Sequence, residues 1–143
     1  MTVQRILDTQ QSVQRTHISP DAKIREVLNS LAFRNVGAIV VSSDGDTVEG
    51  IISERDIVRG LQKAEAGLLD KPVRELMTEE VVTCVATDRA AGIMAMMVSK
   101  HLRHVPVVEG GRFVNMISIR DLLQLRLTEV QSEADAMRSY IAG

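Results

Sequence analysis

The chain has 143 residues, 45% of them hydrophobic, enough to bury the core of one compact domain or of two small ones. Its 17 Lys and Arg nearly balance 19 Asp and Glu, and Phe33, Phe113 and Tyr140 are its only aromatic residues, so it offers nucleic acid neither a basic field nor a stacking platform. The single cysteine, Cys84, excludes an intramolecular disulfide and fits a reducing compartment; with no apolar run near the roughly 18 residues of a membrane span and no signal-peptide block in "MTVQRILDTQ", the sequence predicts a soluble cytoplasmic protein without a membrane partner.

In chain order, a short strand is predicted around Thr16, His17 and Ile18. Ser19 and Pro20 offer a cap and first turn for a helix whose apolar residues Ile24, Val27, Leu28 and Leu31 keep helical spacing. "GAIVV" (37–41) reads as a buried strand, "SSDGDTVEG" (42–50) as a turn, and "GIISERDIV" (50–58) as a strand that runs into a second helix. A connector follows, "LLDKPVRELMTEEV" (68–81), with Pro72 at a predicted helix start.

The same order then returns. A strand over 83–85 leads to a helix begun by Thr87 and Asp88, then the strand "VPVV" (105–108), the turn "EGGRFVN" (109–115) and "NMISIRDLL" (115–123). Residues 16–41 lie on 83–108 at an offset of 67, which sets Thr16 on Thr83, Asp21 on Asp88 and Val40 on Val107. Past the turn the offset falls to 65, because the first turn is two residues longer. The order is β-α-β-β-α, twice. One copy of roughly 60 residues would bury only about 60% of the surface its unfolded chain exposes, so two copies are expected to pack together. At the end, Leu123, Leu127, Val130, Ala134, Met137 and Ile141 form a heptad-like stripe on a helix of roughly 20 residues, a stripe that calls for a partner from the body of the fold or from another subunit.

These residues resemble a tandem pair of cystathionine β-synthase (CBS) domains, a Bateman module. The carriers are "VGAIVV" with "GIISERDIV", "LRHVPVV" with "NMISIRDLL", and "ELMTEEVVTCVATD", and the resemblance spans about residues 10 to 125. It implies an α+β fold of two β-α-β-β-α repeats packed as a pseudo-twofold pair with a C-terminal helix. The expected division is 1–70 for the first repeat with its N-terminal segment, 71–127 for the second, and 128–143 for the terminal helix.

The resemblance also implies a regulatory sensor without catalytic residues or cofactor. Such pairs take adenosine-containing ligands, of the AMP, ADP, ATP, S-adenosylmethionine or NAD class, between the repeats, form homodimers, and signal to a protein target, here unknown. Carried over by motif, Asp56 and Asp121 face the ribose hydroxyls, with Ser53 and Ser118 beside them and Arg55 and Arg120 adjacent. The adenine slot would involve Thr16, His17 and Ile18 in one copy and Thr83, Cys84 and Val85 in the other, with Ala38, Val105 and Pro106 on the opposite side.

Chemically, Ser-x-x-Asp at a helix start has two readings. It combines a hydroxyl, a carboxylate that accepts hydrogen bonds from a diol, and the positive end of a helix, all suited to a nucleotide. It is also close to a capping box, and the two roles are compatible. Lys100, Arg103 and His104 add positive charge, expected to gather at the second copy's motif and to favour a phosphate there. The first copy has Glu54 where the second has Ile119, and Val36 and Gly37 align with Arg103 and His104. Asn115 stands where the first copy has Gly50, a position expected to tolerate left-handed backbone.

Other patterns are weak. His101-x-x-His104 has no sequence-near third metal ligand, a lone strand cysteine is usually a small buried hydrophobe, and the methionines of "IMAMM" read as adaptable core. The competing functional reading is an interaction or oligomerisation protein whose clefts are vestigial.

Overall fold

The computed structural model describes residues 1–10 and 16–143; residues 11–15, at the head of the first copy, lie outside the described residues. The first repeat contains β1 (His17–Ile18), α2 (Ile24–Arg34), β2 (Ala38–Val41), β3 (Gly50–Ser53) and α3 (Glu54–Ala64), preceded by α1 (Val3–Thr9). Two 3-10 turns, Glu65–Asp70 and Val73–Glu75, lead to α4 (Ala90–Lys100), β4 (His104–Glu109), β5 (Arg112–Ser118) and α5 (Ile119–Ala142). The architecture is α+β, and no helix among the described residues is long and apolar enough to cross a membrane.

In the first repeat β2 is central, parallel to β1 and antiparallel to β3, with Ile39 opposite Ile52. The second repeat repeats this pairing with Val105 opposite Ile117, and closes its hairpin through Gly110 and Gly111, whose φ angles of 57° and 78° are those of a tight two-residue turn. The strand expected over 83–85 is reduced to one parallel bridge. Cys84 donates to the carbonyl of Pro106 (3.0 Å) and accepts from the N–H of Val108 (2.9 Å), where a bulge between Val107 and Val108 interrupts the ladder.

The helices also start later than the sequence suggests. Ser19 caps a turn, its Oγ accepting the Asp21 N–H (3.2 Å), while α2 begins four residues on behind Lys23, whose N–H donates to the Glu26 carboxylate (2.7 Å). Asp88 likewise accepts the Val85 N–H (2.9 Å), and α4 begins behind Arg89. The cause is an exchange of leading segments. In the first repeat, Val73 and Arg74 donate to the carbonyls of Ala22 and Pro20, and Ile24 donates to Lys71. In the second, Val3 and Gln4 donate to Asp88 and Ala86, and Ala90 donates to Met1. The two sets are equivalent bond for bond, so each leading segment docks on the opposite repeat.

This exchange shapes the cores. Val73 joins Ile24, Val27, Leu31, Ile39, Val41, Ile52 and Ile57 in the first, while Val3 and Ile6 join Cys84, Met97, Val105, Val107, Ile117 and Leu122 in the second. The cut at residue 70 separates equivalent stretches of sequence, yet residues 1–9 pack with the second repeat and 71–77 with the first. Such interlocking removes from water apolar surface that neither small repeat would cover alone, and each Å² so buried stabilises the fold by about 25 cal/mol. Helix α5 runs through residue 127 without a break, so the second repeat's last helix and the terminal helix are one.

Candidate functional site: two clefts between the repeats

The bonding pattern fixes which residues of the two copies are equivalent. Ile18 accepts from Ser42 as Cys84 accepts from Val108, and the Glu54 N–H donates to Gly37 as the Ile119 N–H donates to Arg103. From strand to strand the offset is therefore 66, one less than the sequence match suggests. Val82 matches Thr16, Arg103 matches Gly37, and His104 matches Ala38.

Both Ser-x-x-Asp motifs close as capping boxes. Asp121 Oδ2 accepts the Ser118 N–H (2.7 Å) and hydroxyl (3.0 Å), and Ser118 Oγ accepts the Asp121 N–H (3.1 Å). At the first copy, Asp56 Oδ2 accepts the Ser53 N–H (2.8 Å) and hydroxyl (2.9 Å), with a longer return bond of 3.4 Å. In each box the carboxylate uses one oxygen, Oδ2. The box holds the side chain in one rotamer at the helix start and does not engage Oδ1.

Two cavities lie where these helix starts meet the helix-to-strand junction of the other repeat. The larger, about 440 Å³, brings Ser118, Arg120 and Asp121 together with Thr16, Gly37, Ala38, Arg103 and His104. The smaller, about 320 Å³, brings Ser53, Arg55 and Asp56 together with Gly37, Ala38, Arg103 and His104. Both volumes fall in the range of small-molecule sites.

The remaining expected residues do not line either cleft. Cys84 and Val105 point into the second core, where burial, with Asp88 nearby, pushes the Cys84 thiol up to about 12. Pro106 is in the interior of the hairpin opposite Met116, Ile18 packs against the first core, and Thr83 and Val85 are exposed. The one-residue offset explains the second copy's miss: the wall equivalent to Thr16 is Val82, with Val81 beside it.

Charge is distributed differently from the sequence expectation. Lys100 and His101 line the cleft of Asp56, across the repeat boundary, together with Arg55, Arg59, Glu54 and Glu80. The Asp121 cleft has Arg103 and Arg120. Each motif thus faces the junction of the other copy, so the second copy's basic junction serves both clefts instead of gathering at its own motif.

His104 sits on the wall common to both. Burial holds its imidazole below the ordinary value; Asp121 and Glu54 pull it back up, and Arg103 pushes it further down. A Cβ on Gly37 would stand 3.0 Å from His104 Cε1, so glycine there is what lets the imidazole lie against the first repeat.

Asn115 is not in the left-handed region, and neither is Gly50. Gly50 is small because Met77 Sδ would lie 2.7 Å from a Cβ, whereas the buried Asn115 amide donates to Gln10 Oε1 and accepts its neighbour's N–H at Met116 (2.8 Å). Gln10 in turn lines the Asp121 cleft, as Thr78, paired with Ile51, lines the other. Among the described residues no group of three or more His, Cys, Asp or Glu is placed to hold a metal ion.

The CBS domain family model matches residues 13–63 and 73–128, two repeats that bracket both motifs. The chain belongs to the CBS domain family. It is 33% identical to the CBS-domain containing protein of Agrobacterium tumefaciens, whose crystal structure superposes with a TM-score of 0.83 over 88% of this chain and 99% of that one. A CBS domain protein from Pyrobaculum aerophilum, solved complexed with AMP, is 27% identical, with a TM-score of 0.73 over 85% of this chain and 89% of that one. The mitochondrial CBS domain-containing protein CBSX3 of Arabidopsis thaliana is 29% identical over 127 residues, 86% of this chain. The chain spans 62% of that relative's length.

Proposed function

We propose that this CBS pair is a regulatory sensor that binds adenosine-containing nucleotides, of the AMP, ADP, ATP or NAD class, in its two inter-repeat clefts and signals to a protein partner by a change in how the repeats pack. The observation that carries the reading is the placement of Asp56 and Asp121. Each sits at a helix start, fixed through Oδ2 by its own serine, and lines a cleft whose far wall belongs to the other repeat. The Oδ1 atoms are the acceptors for a ribose diol, and the arginines nearby suit a phosphate.

The AMP complex of the Pyrobaculum relative supports the ligand class. Signalling follows from cleft construction: a ligand held by residues of both repeats binds one arrangement of them better than another and shifts the population by that difference. The protein works without chemistry of its own, in the cytoplasm, as a homodimer joined through α5, whose Leu127, Met137 and Ile141 are exposed.

Calorimetric titration with AMP, ADP, ATP and NAD tests the proposal, with the Asp56→Asn, Asp121→Asn double variant as control. At least one nucleotide is expected to bind the natural chain, and the double variant to bind it at least tenfold more weakly. A folded chain that takes up none of the four at millimolar concentration would leave the clefts as vestiges in an interaction protein.

A further inference from the structure

The two clefts share one wall. Gly37, Ala38, Arg103 and His104 line both, and Gly37 has no side chain to separate them. Of these four, Arg103 alone is permanently charged. At the end of the turn between α4 and β4, it is the one permanent cation that lines both sites.

The other cations are unevenly divided. The Asp121 cleft has Arg120 besides Arg103, while the Asp56 cleft has Arg55, Arg59 and Lys100 as well, set against Glu54 and Glu80. A phosphate in either cleft draws on Arg103, and a single planar fork cannot give its bidentate hydrogen bonds to two phosphates on opposite sides.

We infer that Arg103 makes the two clefts anticooperative for phosphate-bearing nucleotides, so that a phosphate held in one cleft lowers the affinity of the other, whereas uncharged adenosine fills them independently. This rests on the proposed nucleotide reading of the clefts and adds their regulation. By linkage the penalty is reciprocal, the same whichever cleft fills first. The sensor would then respond over a broader range of nucleotide concentration than two independent sites.

Unequal clefts alone also give two binding steps, so the test compares the intact chain with chains that keep one cleft. Thr16→Trp fills the Asp121 cleft and Val82→Trp fills the Asp56 cleft, each at a residue that lines one cavity only and outside both capping boxes. Calorimetry with AMP gives one association constant for each single-cleft chain and two stepwise constants for the intact chain. For AMP the product of the stepwise constants is expected about tenfold below the product of the single-cleft constants, a coupling of ordinary allosteric size. For adenosine the two products agree within about twofold, and in Arg103→Met the AMP discrepancy shrinks toward that value.

Equal products for AMP in the intact chain overturn the inference and leave the nucleotide reading standing. A discrepancy that survives unchanged in Arg103→Met overturns the role of Arg103. An intact chain that binds neither AMP nor adenosine overturns the inference, and one that takes up none of AMP, ADP, ATP and NAD removes the nucleotide reading with it.

Discussion

His104 and Gly37 meet where the two repeats come together, with the imidazole Cε1 3.0 Å from the point a Gly37 Cβ would occupy. The contact forms part of the wall of both clefts, so its size sets the depth of each. Gly37→Ala must push the ring aside by a few tenths of an ångström, toward the clefts or into the packed interface. A loss of about 1 kcal/mol in urea unfolding, typical of mild overpacking, is expected. Weaker nucleotide uptake at both clefts should accompany it. Unchanged stability and unchanged titrations would show that the repeats slide freely at this point.

Ser118 and Asp121 separate the capping role from the ligand role. The Ser118 hydroxyl belongs to the box, whereas Asp121, whose Oδ2 serves the box, also lines the cleft, and the proposal gives its Oδ1 to the ligand. Ser118→Ala should therefore cost about 1 kcal/mol of stability and shift nucleotide affinity by no more than about threefold. Asp121→Asn should cost a similar amount of stability and also weaken AMP at its cleft roughly 10- to 100-fold, the loss of a charged hydrogen bond. Equal affinity losses from the two substitutions would make the carboxylate a mere part of the helix cap.

The capping boxes are legible in the amino-acid sequence itself. The doubled Ser-x-x-Asp frame gave the repeat, the serines predicted the caps, and Asp56 with Asp121 were placed at the clefts they line. What the sequence blurred was register. A self-match can slide by one residue wherever both copies are runs of valine and isoleucine, and it slid at "GAIVV" against "VPVV"; hydrogen bonds do not slide. That single slip moved the second wall from Val82 to Thr83 and paired His104 with Gly37, which it in fact touches across the interface.

The exchange of leading segments was hidden for another reason. Val-x-x-Ile at Val3 and Ile6 repeats as Val-x-x-Leu at Val73 and Leu76, but four residues carry little signal, and chain order does not say which repeat a segment packs against. Lys100 lining the opposite cleft is the same kind of fact: it depends on how the repeats face each other.

His104 also predicts a pH dependence. Its folded value lies below the ordinary 6.5 because burial disfavours the imidazolium, so the unfolded chain binds the extra proton first as pH falls. Stability contributed by neutral His104 is present above about pH 6.5 and is lost as pH drops toward the folded value. Melting curves between pH 7.5 and 5.5 should therefore fall more steeply for the natural chain than for His104→Gln, which keeps a polar side chain and cannot titrate. Parallel curves would contradict the buried neutral imidazole.

Helix α5 offers the last test. Its first turns anchor it: Leu122 and Leu125 are buried in the second core. Beyond Val130 the helix leaves the body, and Met137, Tyr140 and Ile141 are 68%, 88% and 80% exposed. In water such a stripe, repeated at four and three spacing, is stabilised by a second helix with the same seam, with Ala134 allowing close approach. Removing residues 128–143 takes away Val130, Ala134, Met137 and Ile141, four of the six residues of the stripe, and none of the buried core. Sedimentation equilibrium at micromolar concentration should find the full chain dimeric and the truncated chain monomeric, with far-ultraviolet dichroism showing the body still folded. A truncated chain that stays dimeric would move the interface to the exposed apolar residues Val58 and Leu61 of α3 or Val98 of α4, and leave the end of α5 free for the partner.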